Sequence, residues 1–160
     1  MPKRSAGLLV YRRRAQRLQV FLVHPGGPYW AKKDLGAWTI PKGEYENDEQ
    51  PLDAAKREFQ EETGFTPPPE NYIELGAVKQ ASGKIVTGWA VEGDYDPGDL
   101  TSNFCQVEWP PHSGRLIDIP EVERGDWFDL SEAHERILKS QEPFLETLNR
   151  KLNSILDHSI

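Results

Sequence analysis

Residues 49–63, EQPLDAAKREFQEET, constrain the fold more than any other stretch of this 160-residue chain. They predict one amphipathic helix. Asn47 or Asp48 offers a side-chain acceptor to the free amides at its start. Pro51 suits the first turn, where its missing N–H is not needed, and Gly64 stands where a left-handed residue ends a helix. Leu52, Ala55 and Phe59 recur at helical spacing and should face a core. On the same helix Glu58, Glu61 and Glu62 stand at i, i+3 and i+4, so they share a face and repel one another. Keeping them together calls for a positive partner, and hard divalent cations with oxygen ligands suit that place. Arg57 adjoins Glu58, and Glu49 lies two turns earlier. A Glu–Arg pair of this kind holds a guanidinium that fixes a neighbouring carboxylate. Glu44, Glu46 and Asp53 read as solvated surface.

Around this helix the chain reads as a soluble globular domain spanning residues 1–160, with 37% hydrophobic and 28% charged residues. No apolar run is long enough to span a bilayer, and arginines follow the short apolar stretch near the N-terminus at once. No membrane association and a cytoplasmic location are therefore expected. Cys105 is the single cysteine, so a disulfide within the chain and a cysteine metal cluster are excluded. The net charge of −7 is uneven: residues 1–42 hold nine Lys and Arg against Asp34 alone, and the rest carries −15. An acidic whole argues against a stable nucleic-acid partner. Arg12 to Arg17 read mainly as the solvated tip of a hairpin.

Segments 5–11 and 18–23 read as strands joined by that hairpin. Residues 24–37 form a loop rich in Pro and Gly, and Trp38–Ile40 a short strand stopped by Pro41. Strands are expected at 72–80, 84–91 and 103–109, then a WPPHSGR loop and a last short strand at 126–129. Ser131 is the expected cap of a helix through about Lys139. Pro143 opens a final helix with Phe144, Leu145, Leu148, Leu152, Ile155 and Leu156 on an apolar stripe. The order predicts a mixed α/β fold with helices covering a sheet.

The segment GEYENDEQPLDAAKREFQEETGF, residues 43–65, resembles the Nudix box. Gly43, Glu49, Arg57, Glu58, Glu61, Glu62 and Gly64 meet all seven fixed identities at the family's spacing, and Phe59 and Phe65 fill its bulky apolar positions. The resemblance implies an α/β/α sandwich whose mixed sheet carries the box helix and the C-terminal helices. It implies a Mg²⁺-dependent phosphoanhydride hydrolase, with Mn²⁺ as a substitute. It also implies roles: Glu58, Glu61, Glu62 and the Gly43 carbonyl bind metal, Glu58 is the candidate general base, and Arg57 orients it, anchored by Glu49. None of His24, His112, His134 and His158 has metal-ligand spacing, and each reads as a surface or loop residue.

The expected substrate is small and nucleotide-like, a dinucleoside polyphosphate or a nucleoside triphosphate cut by a pyrophosphohydrolase reaction. Specificity is expected from loops outside the box. Tyr29, Trp30 and Trp38 could stack on a base, with core packing as the competing reading for Trp38. Lys32 and Lys33 could touch phosphates, Lys42 is expected to meet one just before the box, and Arg115 is a further candidate. A carboxylate outside the box should complete the catalytic set: Glu121 first, then Glu123, both in IPEVERGDWF, with Glu108 on the preceding strand third. Two other readings share the scaffold, RNA 5′-end pyrophosphate removal and a nucleotide-binding module without catalysis. A monomer or a homodimer fits equally.

Overall fold

The computed structural model describes residues 3–158, with side chains in the last helix as far as Ser154. A six-stranded mixed sheet lies between two helical layers. Its spine is β1 (Arg4–Arg14), whose apolar run is buried on both faces because β1 is internal to the sheet. A two-residue turn at Ala15 and Gln16, both at positive φ, joins it to the antiparallel β2 (Arg17–Pro25). On the other side β5 (Ile85–Glu92) runs parallel to β1, and β4 (Ile73–Lys79) follows antiparallel. At the start of β1, Ser5–Gly7 pair with β3 (Lys42–Glu44). The last strand, β8 (Val122–Asp129), flanks β2. A separate hairpin is formed by β6 (Phe104–Glu108) and β7 (Leu116–Pro120).

The alternation of side chains across β1 and β2 assigns the layers. Leu9, Tyr11, Val20 and Leu22 face α2 (Leu130–Arg136) and α3 (Glu142–His158), packing on Ala133, Phe144, Leu145 and Leu148. Ala6, Leu8, Val10, Phe21 and Val23 face α1 (Pro51–Thr63), packing on Ala54, Ala55 and Phe59. This is the expected α/β/α sandwich. The predictions for Ile155 and Leu156 lie outside the described side chains.

Several boundaries differ from the sequence reading. Helix α1 begins at Pro51 with Gln50 as its N-cap and no side-chain capping bond, so neither Asn47 nor Asp48 caps it; Gly64 ends it at φ 77° as expected. Trp38–Ile40 makes only isolated bridges, Val23 with Thr39 and Trp38 with Ile137. Asp129 rather than Ser131 occupies the N-cap position of α2, which stops at Arg136. The segment expected as a loop after Trp109 contains β7, and β8 starts four residues before the predicted 126. β7 is largely apolar yet exposed and β8 mixes charged with apolar residues, so pairing rather than apolar alternation defines them. Arg12 and Arg14 do not merely solvate the hairpin tip: both bond Asp94, and Arg12 lies 4.1 Å over the Trp127 ring.

Candidate active site

Packing of Phe59 and Ala55 against the sheet sets how α1 is rotated, and thereby turns Glu58 and Glu62 inward. They are 8% and 6% exposed, whereas Glu61 stands at the rim, exposed to solvent. Arg57 grips Glu49 through two bonds, Nε at 2.8 Å and Nη2 at 2.9 Å, and gives Nη1 to Glu58 at 2.8 Å. The same Nη1 reaches Glu61 at 3.3 Å. One guanidinium thus ties the helix to the loop before it and fixes the direction of the Glu58 carboxylate. Its carboxylate partners hold the Arg57 proton more firmly than usual, those of Glu49 most. Gly43 allows the arrangement: a Cβ there would come within 2.0 Å of the Glu58 carboxyl.

Glu58 and Glu62 line a cavity of about 460 Å³ together with Ser5, Pro25, Thr39, Lys42, Gly43, Glu44, Lys84, Glu121 and Val122. Glu121 enters from the junction of β7 and β8, and Lys84 from the start of β5. Four carboxylates therefore meet two ammonium groups. Burial pushes the Glu58 and Glu62 carboxyls above the ordinary range, and the charge of Glu121 pushes Glu62 further. Burial and the neighbouring Lys84 lower the affinity of Lys42 for its proton. The Lys42 amide donates to Glu62 at 3.3 Å. Glu44 sits 3.1 Å from the Lys84 Nζ, whose hydrogen bond holds its carboxyl below the usual value.

The residues fit a hard divalent ion. The donors are oxygen, the carboxylates outnumber the cations, and two of them are desolvated. Ser5 Oγ, buried and lining the same cavity, has no hydrogen-bond partner among the described residues. Among those residues no three His, Cys, Asp or Glu side chains stand as a ready-made cage. Arg57 and the Lys42 amide occupy carboxylate oxygens that an ion would otherwise use.

A second cavity, about 400 Å³ and mainly apolar, adjoins the first and shares Pro25 and Glu121 with it. Tyr29 and Trp30 form one wall, and Cys105, Val107, Trp109 and Ile119 of the β6–β7 hairpin the other. Tyr29 is exposed and carries Lys33 Nζ 3.6 Å from its ring centre. Trp38 is elsewhere: it is 3% exposed, packed on Phe128 and His24, with its N–H on Asp34, so it is a core residue unavailable to a base. Arg115 lies outside both cavities, exposed in the β6–β7 turn. Glu123 bonds His24, and Glu108 accepts the His112 amide, which leaves Glu121 as the member of its trio in the cavity.

The sequence reading missed three residues. Glu44 was read as solvated but lines the cavity. Lys84 and Ser5 carry no local signal, since only strand pairing brings them to the box. His24 was read as a surface or loop residue and is fully buried.

A NUDIX domain family model matches residues 1–148. The fold is similar to a C. elegans Ap4A hydrolase binary complex, at TM-score 0.65 and 23% identity, over 95% of this chain and 98% of that one. It is similar to the NUDIX domain of Shewanella oneidensis NrtR complexed with ADP ribose, at TM-score 0.64 and 18% identity, over 95% and 89%. A NUDIX hydrolase from Nitrosomonas europaea matches at TM-score 0.60 and 20% identity, over 94% and 90%. No curated protein matches the chain. Among the described residues no helix is long and apolar enough to cross a membrane. The carboxylate helix, its arginine clamp and the matched domain lead to one assignment: the chain belongs to the Nudix family of phosphoanhydride hydrolases.

Proposed function

We propose that the chain hydrolyses a phosphoanhydride bond in a nucleoside diphosphate-linked substrate, either a dinucleoside polyphosphate or a nucleoside triphosphate. Divalent metal ions serve Nudix hydrolases generally, and Mg²⁺, replaceable by Mn²⁺, is the ion proposed here. The supporting observation is the adjacency of an anionic, lysine-bearing cavity and an aromatic one across Glu121. Such a pair suits a ligand with a polyphosphate at one end and a base at the other. The name of the C. elegans neighbour, an Ap4A hydrolase, points the same way.

In this reading Glu58, Glu61, Glu62 and the Gly43 carbonyl hold the ion. When bound, the ion neutralises phosphate oxygens and lowers the pKa of an attacking water. Lys42 and Lys84 bind the remaining phosphate oxygens, and Trp30 and Tyr29 hold the base. Arg57, anchored by Glu49, keeps the Glu58 carboxylate aimed as general base. Glu121, at the junction of the two spaces, is the carboxylate outside the box that completes the catalytic set. Arg115 has no role in this scheme.

The test is a panel of dinucleoside polyphosphates, nucleoside triphosphates, nucleotide sugars and triphosphorylated RNA, incubated with protein and Mg²⁺, with products identified by mass. Cleavage of the first two classes is expected. Cleavage of RNA ends or nucleotide sugars alone would overturn the substrate class.

A further inference from the structure

His24, at the end of β2, is fully buried, and among the described residues each of its ring nitrogens faces acceptors only. Nε2 lies 2.5 Å from the Lys33 carbonyl oxygen. Nδ1 lies 3.0 Å from the Pro25 carbonyl oxygen and 2.9 Å from a Glu123 carboxylate oxygen. A neutral imidazole carries one N–H and one lone pair, and neither a carbonyl nor a carboxylate can donate to that lone pair. Only the imidazolium satisfies both sides at once. The other charged groups near it are Arg124, 3.8 Å from the same Glu123 oxygen and stacked over Trp38, and Asp34 with Arg136 at the far edge of that indole. Lys33 turns its own ammonium away onto Tyr29.

The two ends of this link matter. The Lys33 carbonyl belongs to the turn closed by the Lys33 amide on the Trp30 carbonyl, so it reports where Trp30 stands. Glu123, on β8, follows Glu121 of the β7–β8 junction by two residues. We propose that His24 is a positioning residue: a buried imidazolium that holds the Tyr29–Trp30 wall of the aromatic cavity against the start of β8, next to Glu121, and so sets substrate affinity without touching substrate. The proposal rests on the reading of that cavity as the base site, but its first two tests do not.

The test uses the full chain. In ¹⁵N-histidine protein at neutral pH, His24 is identified as the resonance lost in His24→Gln. Both ring nitrogens should carry protons. A single ring N–H at neutral pH in the parent overturns the proposal. The second readout is Cys105, the only thiol, which lines the same cavity. At one fixed pH, His24→Asn, which keeps a donor near the Nδ1 position, and His24→Gln, which keeps one near Nε2, should both speed its alkylation several-fold by loosening the wall. Unchanged alkylation in both folded variants overturns the proposal. Third, on whichever panel substrate the parent cleaves, both variants should raise KM by roughly tenfold, the worth of one charge-assisted bond, with kcat within about threefold. A fall in kcat at unchanged KM would refute a positioning role. If the parent cleaves nothing, the functional reading fails, while the nitrogen and thiol experiments still decide the state and task of His24.

Discussion

Replacing Gly43 by Ala tests how tightly the site is built. Gly43 lies outside the left-handed region, so the effect is steric and not conformational. The added methyl would stand 2.0 Å from the Glu58 Cδ and Oε2 and 2.5 Å from Oε1. Ordinary contact begins near 3.5 Å, so the carboxylate must withdraw by about 1.5 Å. That movement breaks the 2.8 Å bond from Arg57. A hydrogen bond to a charged group contributes about 1.5–3 kcal/mol, and a misplacement of about 1 Å in a reacting group costs on the order of 100-fold in rate. The expected result is a loss of about 10²–10³ in kcat/KM at saturating Mg²⁺. Thermal stability should fall by less than about 2 kcal/mol, since the displaced side chain has an open cavity to move into. Initial rates and thermal unfolding measured on one preparation give both numbers. Activity within threefold of the parent in a folded variant would refute the claim that the Gly43–Glu58 contact positions the carboxylate.

Three further outcomes follow from the same geometry. Glu62→Gln should abolish turnover yet raise the Tm in chelator at neutral pH, because burial and the adjacent Glu121 make its charge costly there; a lower Tm would contradict this. Glu121→Gln should cut kcat at least tenfold at saturating Mg²⁺ across pH, whereas Glu123→Gln should spare kcat and act on KM; a Glu121 variant within twofold of the parent removes it from the catalytic set. Asp94 is held below its usual carboxyl range by its bonds to Arg14 and Arg12, so its contribution to stability is present at neutral pH and lost as pH falls through its depressed value. Asp94→Asn should therefore lower the Tm at pH 7, and the gap to the parent should narrow in acid scans taken below the ordinary Asp range.

What could be read from the sequence divides along physical lines. Helix α1, its Gly64 terminus and the shared face of Glu58, Glu61 and Glu62 were legible because local punctuation and helical spacing determine them; that Glu58 and Glu62 turn inward while Glu61 stays at the rim is set by packing on the sheet. The β1–β2 hairpin was legible because an apolar run on each side of a polar turn admits few alternatives. The site residues contributed by pairing were not. Glu44 and Lys84 stand forty residues apart and meet because β3 and β5 both pair with β1. β6 was legible as the strand expected at 103–109, but its partner β7 was hidden because a short, exposed strand off the main sheet needs no strict alternation. Glu121, expected from its place in a Pro-led loop, lines the cavity, whereas Glu123 falls at the shift in pairing between His24 and Pro25 and meets His24 instead, a difference only the pairing of β2 and β8 determines. His24 was misread because it ends β2, and its burial is decided by the following loop that closes over it.

The central claim is that the Glu58–Glu62 cavity cleaves a phosphoanhydride with a divalent ion. Its most direct test is turnover of the best panel substrate by protein stripped with EDTA, followed by titration with Mg²⁺. The account predicts no turnover in EDTA and recovery to the full rate as Mg²⁺ exceeds the chelator, with no recovery in Glu58→Gln. Full turnover in EDTA by the parent, or an equal Mg²⁺-driven recovery in Glu58→Gln, would contradict it.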